Sequence, residues 1–325
     1  MRLALSLSAL VVALLLASLS LGYAPLPLSA VTGGVLGAGD PLHVMVMQQI
    51  RLPRTALAAL VGAALGLSGA AMQGYLRNPL AEPGLIGVSG SAALGAVIAL
   101  QTGLSAAFAL ALPLMALLFA LAAVALILLL AGPRGGSLTL ILAGIAVSAL
   151  AGALTSLALN LSSNPYATFE IVFWMMGSVA DRSLSHLALA TPLVALGGAV
   201  LLTLGRGLDA LTLGEDGAQA LGVSMTALRL KLLFGTAAAV GAATAVAGAV
   251  GFVGLVVPHL LRPLCGARPS RLLWASALGG AAMLLAADIA VRLVLPERDL
   301  KLGVVMALIG APLFLHLIYK TRRGG

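Results

Sequence analysis

Apolar runs of about 20 residues recur along the whole chain, and each is long enough to cross a bilayer as a helix. Hydrophobic residues make up 61% of the 325 positions and charged residues 9%. A soluble domain carries about 25% charged residues. A chain of this composition would leave a large apolar surface in water, so the sequence predicts an all-α polytopic membrane protein.

We expect about ten transmembrane helices. The N-terminal run follows Arg2 and could be a signal peptide, but it is longer than the roughly 7–15 apolar residues of such a peptide. We therefore take it as the first span, and the eighth segment is short for a span. The candidate spans are 3–22, 55–76, 85–101, 106–131, 138–160, 186–205, 230–249, 251–264, 272–293 and 303–320.

The distribution of Lys and Arg over the loops predicts that both termini lie inside. Ten spans with an inner N-terminus place twelve cationic residues inside and six outside. Omitting the eighth span would move Arg262, Arg268 and Arg271 outside, so ten is the better count. The inner residues are Arg2, Arg77, Arg134, Arg206, Arg229, Lys231, Arg262, Arg268, Arg271, Lys320, Arg322 and Arg323; the outer ones are Arg51, Arg54, Arg182, Arg292, Arg298 and Lys301.

Two glycine-rich segments point to an internal duplication. "VGAALGLSGA" (61–70) and "VGAATAVAGA" (240–249) share six of ten positions and run in opposite directions by the span count. Inverted repeats of five helices would explain this, as in many transporters. Chance similarity between Gly/Ala-rich helices would explain it equally well. The 39 glycines also predict close packing between helices.

Three polar segments interrupt the apolar pattern. "RNPLAEPGLIGVSG" (77–90) combines charge, proline and glycine, which predicts a helix break that lines a cavity or is buried in protein. Residues 161–185 would lie outside, and their aromatic and Met side chains predict an interfacial helix. Residues 206–229 form the longest polar inner segment, predicted as two short helices joined at Gly214 that project into the cytoplasm.

The sequence lacks the motifs of several function classes. It has no GxxxxGK[ST] phosphate loop and no HExxH metal motif, and its net charge of +8 forms no basic stripe for nucleic acid. Its single cysteine, Cys265, excludes an intrachain disulfide framework and a multi-cysteine metal site. We therefore expect no metal site, with the four histidines isolated from one another: His43, His186, His259 and His316.

Acidic residues within the predicted spans are few. Asp288 lies near the outer end of the ninth span, four residues before Arg292, so the two could neutralise each other. A proton-driven carrier usually needs an acidic relay deep in the bilayer. The energy for transport must then come from elsewhere, or the chain is a passive conduit.

Several motifs at consistent spacing resemble one family: the permease subunits of type II ATP-binding-cassette importers for iron-siderophores, haem and cobalamin. The resemblance runs from about residue 50 to the C-terminus. It rests on "RLPRTALAALVGAALGLSGAAMQGYLRNPLAEPGLIGVSGSAALGAV", "LILAG", "LTLGEDGAQALGV", "AVGFVGLVVPHLLRPLCG", "AADIAVR" and "LGVVMALIGAPLFLHLI".

The resemblance implies one permease domain over residues 1–325 in the inner membrane of a bacterium. Two copies would enclose a central pathway, two cytoplasmic ATPase subunits would dock below, and a periplasmic or lipoprotein substrate-binding protein would dock above. The partner would hydrolyse ATP, and we expect this chain to bind no cofactor and not to be an enzyme. The cargo would be a bulky metal chelate, without indication of which one.

The family's gate positions fall on two segments of this chain. Asn78 and Leu80 match the cytoplasmic gate, and Ser137 and Leu138 match the second gate positions. The second match is weaker because the chain has "GSLT" where relatives often carry more hydroxyl side chains. An ordinary connector between spans is the competing interpretation of residues 77–90.

The resemblance also assigns contacts with partners. The "LGE" loop would seat on the ATPase through the set Leu213, Gly214, Glu215, Leu221 and Gly222. Arg51, Arg54 and Arg292 match positions where relatives meet acidic residues of the binding protein. Arg51 and Arg54 could instead anchor a span at the lipid headgroups, and Asp288 could satisfy Arg292.

Two function classes compete with this interpretation. A stand-alone secondary carrier for a hydrophobic solute would require an acid deep in a span. An integral membrane enzyme acting on lipid would require convergent His, Asp or Glu at one depth. The sequence has few polar residues in its predicted spans, and it therefore favours neither of these two function classes.

Overall fold

A computed structural model describes residues 2–22, 26–108, 110–132, 136–162, 165–294 and 300–323. The fold is all-helical, without strands in these ranges. A π-helical turn, Val46–Arg51, joins α3 to α4, and two 3-10 turns cover Pro83–Ile86 and Pro263–Cys265. The α-helices are α1 Arg2–Ser20, α2 Leu28–Val35, α3 Pro41–Met45, α4 Leu52–Leu76, α5 Val88–Gln101, α6 Leu104–Ala107, α7 Ala111–Ala131, α8 Ser137–Asn160, α9 Pro165–Met175, α10 Leu184–Leu202, α11 Gly205–Leu211, α12 Glu215–Ala220, α13 Met225–Ala247, α14 Val253–Leu261, α15 Pro269–Val294 and α16 Leu302–Arg323.

Seven helical segments in the described ranges are long and apolar enough to cross a membrane. They are Arg2–Ser20, Pro41–Leu76, Ala111–Ala131, Leu138–Asn160, Leu184–Leu202, Met225–Ala247 and Pro269–Val294, and each overlaps a predicted span. The other three predicted spans, 85–101, 251–264 and 303–320, coincide with α5, α14 and α16. The α5 helix has 14 residues and α14 has nine, so neither reaches the about 20 residues of a full crossing.

Helices α4, α13 and α15 form the buried centre of the fold. Their backbones approach so closely that side chains are excluded at several glycines. A Cβ placed on Gly280 of α15 would lie 2.1 Å from the carbonyl oxygen of Gly62 in α4, and one on Gly66 would lie 2.1 Å from the carbonyl oxygen of Ser276. Small residues permit this approach where apolar burial alone does not drive helices together in lipid. The prediction of close helix packing is confirmed here.

We expect Gly280→Ala to destabilise the protein, because the added methyl group would collide with a backbone oxygen that cannot move independently. Overpacking of this kind costs about 1–3 kcal/mol. The measurement is the melting temperature of the purified protein in detergent. Gly152→Ala is the matched control, because Gly152 is helical and exposed, and an added Cβ there would have no atom within 4 Å. Equal melting temperatures for the two variants would contradict this account.

Candidate functional site

The segment between α4 and α5 is the break that the sequence predicts. Helix α4 ends at Leu76, and the next residue, Arg77, has a φ of 49° in the left-handed region. The Asn78 side-chain oxygen then accepts a hydrogen bond from the Leu80 N–H at 2.9 Å, which closes a tight turn. Asn78 is exposed and Leu80 half-buried. Helix α5 begins after Gly87, whose φ is 70°.

A second break, between α13 and α14, lies against the first. The Glu82 carboxylate accepts a hydrogen bond from the Phe252 N–H at 2.8 Å, and Phe252 has a φ of 67°. Pro83 also packs against Gly254, where an added Cβ would lie 2.8 Å from the proline Cδ. A cavity of about 100 Å³ lies between the breaks. Protein therefore surrounds this irregular backbone, as it must wherever such backbone lies at membrane depth.

The second pair of predicted gate residues lies at the start of α8. Ser137 is the first residue of α8, and its side chain is not among those that the structure describes. The Leu138 side chain is 69% exposed. The first break reaches α8 further along, where a Cβ on Gly87 would lie 3.1 Å from Val147. In the described part of the chain, no hydrogen bond joins Asn78 or Leu80 to Leu138. The first break therefore packs against the middle of α8, nine residues beyond Leu138.

Residues 205–220 form two short helices, α11 and α12, joined at Gly214 as predicted. Gly214 has φ 95° and ψ 167°, a conformation open essentially only to glycine. The side chains divide between two faces. Leu208, Leu211 and Ala218 are buried, whereas Leu213 is 70% exposed. Leu221, which follows α12, is 65% exposed.

The buried face of α11 rests on the end of α4, next to the first break. A Cβ on Gly74 would lie 3.3 Å from the Leu208 side chain. A Cβ on Gly214 would lie 4.0 Å from the Arg77 guanidinium. The pair α11–α12 therefore contacts the residues that immediately precede Asn78.

Asp209 of α11 joins this pair to the first turn of α15. Its carboxylate accepts hydrogen bonds from the Ser270 N–H at 2.8 Å, the Ser270 hydroxyl at 2.7 Å and the Arg268 Nε at 2.7 Å. It acts as an N-cap supplied by a different helix. Burial raises the pKa of Asp209, but the hydrogen bonds from Arg268 and Ser270 outweigh burial, so the pKa lies below its ordinary value.

The other end of α15 carries a buried ionic cluster. The Asp288 carboxylate pairs with Arg54 Nε at 2.9 Å and with Arg292 Nη2 at 2.7 Å. Arg292 also donates to the Ser18 carbonyl and hydroxyl and, at 2.9 Å, to the Leu21 carbonyl. The sequence leaves the partner of Arg292 open, and the structure pairs it with Asp288 and adds Arg54 as a second partner of that carboxylate.

Arg51 and Arg292 both bind the C-terminal end of α1. Arg51 Nη1 donates to the carbonyls of Leu19 and Ser20, both at 2.9 Å. Both arginines are buried, and cations at this position neutralise the negative end of a helix. Arg54 is more accessible, at 14% exposure, and lines a cavity of about 220 Å³ together with Gln49, Ile50, Asp181, Arg182 and Ser183. Docking by these three arginines stays a prediction.

The sequence did not indicate Asp209 or Ser18 as functional residues, and it did not indicate the partner of Glu82. Their partners lie 61, 274 and 170 residues away in the chain, so no local pattern indicates them. No group of three or more His, Cys, Asp or Glu suited to a metal ion occurs within the described ranges.

Residues 10–320 match the FecCD transport family. The chain belongs to this family. The match extends over nearly the whole chain, and the resemblance identified from the sequence motifs, that of a type II importer permease, is confirmed.

Curated relatives of this FecCD protein are permeases of several importers. The hemin transport system permease protein HmuU of Yersinia pestis is 41% identical to this chain, and the match covers 84% of this chain and 83% of HmuU. The vitamin B12 import system permease protein BtuC of Escherichia coli O9:H4 is 42% identical, over 87% of this chain and 86% of its own. The molybdate import system permease protein MolB of Haemophilus influenzae is 39% identical, over 88% of this chain and 84% of MolB.

A solved structure described as a metal-chelate type ABC transporter in an inward-facing conformation has the same fold as this FecCD protein. The TM-score is 0.87 at 36% sequence identity, covering 98% of this chain and 99% of the other. Together with the seven apolar segments, the comparisons establish a multi-pass protein of the bacterial inner membrane. The family is one of transport permease subunits that work with ATPase and substrate-binding partners.

We expect Asp209→Ala to lower the melting temperature, because α15 loses its cap, a contribution of about 0.5–2 kcal/mol. The Asp209 pKa is lowered in the folded state, so its stabilisation is complete above the ordinary carboxyl pKa. It disappears as pH falls through the lowered value. The difference from wild type should therefore be largest near neutral pH and shrink below about pH 4. Asp216→Ala, at an exposed residue of α12, is the control, and a pH-independent difference would refute the cap.

Replacing Asp288 with Asn should strongly reduce the yield of folded protein, because buried Arg292 and partly buried Arg54 would lose their shared counter-charge. Breaking a buried ion pair costs about 3–5 kcal/mol. Size-exclusion chromatography and melting temperature measure the loss. Glu170→Gln, a neutralisation at an exposed site on α9, should have no such effect. If the two variants behave alike, the cluster contributes little to stability.

Proposed function

We propose that this chain is the permease subunit of an ATP-driven importer that carries a bulky metal chelate across the inner membrane. An iron-siderophore, haem or cobalamin would be the cargo. The named hemin and vitamin B12 relatives and the metal-chelate structural neighbour support this class. A relative named for molybdate import is 39% identical, so identity at this level does not fix the cargo. We assign the choice among chelates to the binding protein.

The observation that carries the proposal is the exposed leucine face of residues 206–229. Leu213 and Leu221 protrude from a polar segment outside the apolar helices, where water would otherwise meet them. Exposed apolar side chains on such a segment indicate a protein partner. We take this coupling element, with Leu213, Gly214, Glu215, Leu221 and Gly222, as the seat of the ATPase subunit.

Motion of the coupling element would reach the gate through direct contacts. Leu208 rests on the last turn of α4, and Asp209 holds the first turn of α15. A push on α11 would therefore displace the end of α4 and the break that follows it. Asn78 and Leu80 would move first, and Ser137 and Leu138 would follow through the packing of Gly87 on α8.

The pathway itself would lie between two copies of the chain. Helix α8 packs along one face only, so most of its apolar side chains remain uncovered within one copy. In this proposal each copy has ten spans with both termini inside. The sequence of long helix, break and short helix occurs twice, at α4–α5 and α13–α14, which supports inverted five-helix repeats.

On the outer side, Arg51, Arg54 and Arg292 would orient the binding protein. Arg54 is the accessible member of the three and faces the cavity that Arg182 also lines. Arginine–carboxylate pairs at the rim of an interface mainly set orientation and encounter rate. Arg51 and Arg292 would contribute from beneath by holding the end of α1 in place.

The alternative, an ion-coupled secondary carrier, has less support. It needs an acidic side chain free to exchange protons deep in the membrane. In the part of the chain described here, buried Asp288 is bound by two arginines and Glu82 by a backbone N–H. Asp288 is therefore not free for a proton relay, and Glu82 joins the two breaks through the backbone of Phe252.

Uptake into proteoliposomes distinguishes the two functions. The permease is reconstituted alone or with its ATPase subunit, and haem, a ferric siderophore and cobalamin are supplied on their binding protein. We expect uptake of one chelate only when both ATPase and ATP are present. Uptake by the permease alone, driven by a proton gradient, would establish the carrier instead.

The Glu215→Arg variant tests the coupling element in the same assay. Glu215 lies in the first turn of α12, where an acidic side chain suits the helix end and a basic partner surface. We expect co-purification of the ATPase to fall at least tenfold and uptake to be lost, with membrane insertion unchanged. Glu170→Arg is the matched charge reversal on α9, outside the coupling element. Retained co-purification in Glu215→Arg would remove the proposed role.

A further inference from the structure

A groove of about 460 Å³ opens between the first turns of α1 and α15, apart from both breaks. Its floor is Cys265 and Ala275, which are buried. One wall comes from α1 and the opposite wall from α15 and the preceding 3-10 turn. The lining residues are Leu3, Ala4, Leu264, Cys265, Ser270, Arg271, Trp274, Ala275 and Leu278.

The α15 wall changes from charged to apolar along the helix. Arg271, Trp274 and Leu278 follow the i, i+3, i+7 spacing of one helix face, and a helix rises about 10 Å over these seven residues. Arg271 is exposed at the end near the helix start, Trp274 is 60% exposed and Leu278 is half-buried. Cation, aromatic ring and aliphatic side chain thus appear in the order of a membrane–water interface.

Among the described residues, the Arg271 side chain has no polar partner, whereas the neighbouring Arg268 has one. Arg268 is paired with Asp209 at 2.7 Å. The Arg271 guanidinium makes no hydrogen bond and no ion pair with any residue of the described ranges, and it lines the same groove as the buried Cys265. A cation beside apolar walls, with Leu264 also exposed, can bind a ligand that is anionic at one end and apolar at the other.

We propose that this groove binds an anionic phospholipid of the inner leaflet. Its phosphate pairs with Arg271, its glycerol region contacts the Trp274 ring, and an acyl chain lies along Leu3, Leu264 and Leu278. Basic residues at the inner surface attract the anionic lipids of that leaflet. The assignment rests on the proposed function to the extent that the inner N-terminus places the first turns of α1 and α15 at the inner face.

Other occupants fit the groove less well. A free inorganic anion would use Arg271 and leave the Leu and Trp walls in contact with water. An apolar helix from a second copy would bury Arg271 without a counter-charge, which is costly in a membrane. A phospholipid satisfies both the cation and the walls.

Trp274 can report this binding directly, because the chain has two tryptophans and the other, Trp174, is buried. The Trp174→Phe variant is reconstituted into liposomes that contain brominated phosphatidylglycerol or brominated phosphatidylcholine with the same acyl chains. We expect phosphatidylglycerol to quench Trp274 more strongly at equal mole fraction. Arg271→Gln should reduce this preference about fivefold, the effect of one basic residue near the surface. Lys231→Gln, at an exposed cation on α13 outside the groove, should retain it.

Three results would overturn the proposal: equal quenching by the two lipids, an unchanged preference in Arg271→Gln, or displacement of phosphatidylglycerol by inorganic phosphate, which would indicate a free-anion site. Native mass spectrometry of the chain with both tryptophans provides a second measurement if Trp174→Phe does not fold. In that measurement, the Arg271→Gln variant should retain fewer phosphatidylglycerol molecules than the Lys231→Gln variant. Lipid binding is read without transport, so a failed uptake assay and a failed lipid assay remain distinguishable.

Discussion

The contact between α4 and α15 is the constraint on which the other features depend. At Gly62, Gly66 and Gly280 the two backbones touch with no room for a methyl group. Lipid provides no hydrophobic force between helices, so dispersion contacts and weak backbone interactions at this distance hold the pair together. The main polar features are attached to one of these two helices: the first break follows α4, Asp209 caps α15, and Asp288 links both.

The two breaks in the helical pattern satisfy each other. Glu82 in the first binds the backbone of Phe252 in the second. The Gln73 side-chain amide donates to the carbonyls of Gly254 and Leu255 at 3.3 and 3.2 Å, and Arg262 donates to the Gln73 oxygen at 2.7 Å. Backbone groups that would be left without hydrogen-bond partners in hydrocarbon are thus bound by side chains of α4 and of the loop that follows α4. This mutual support explains how a helix as short as α14 can lie inside a membrane protein.

Much of the fold could be predicted from the sequence because length and apolar content decide where helices form in lipid. The long helices, the break after Arg77 and the turn at Gly214 all follow from local composition. The predicted interfacial helix within 161–185 is a helix, α9, at Pro165–Met175. The short apolar run 251–264 predicts a helix. The break before it, at 248–252, is indicated in the sequence only by its glycines.

The pairings at the ends of α15 could not be predicted. Arg54 meets Asp288 across 234 residues, and Asp209 meets Ser270 across 61. These pairs depend on which helices become neighbours in the folded protein. No local pattern in a single sequence indicates which helices those are. The arginines predicted as docking residues illustrate the limit, because the motif indicates that they matter, whereas only the structure shows that Arg51 and Arg292 bind α1.

Helix α15 has 26 residues and is therefore about 39 Å long, enough to connect the two membrane surfaces. A carboxylate fastens each of its ends, Asp209 from α11 at the first turn and its own Asp288 toward α1 and α4 at the last. It contains no proline beyond its first residue, and its glycine pair, Gly279 and Gly280, packs tightly against α14 and α4, which restrains bending there. In the proposed importer, a tilt given to one end of this restrained helix would be transmitted to the other end.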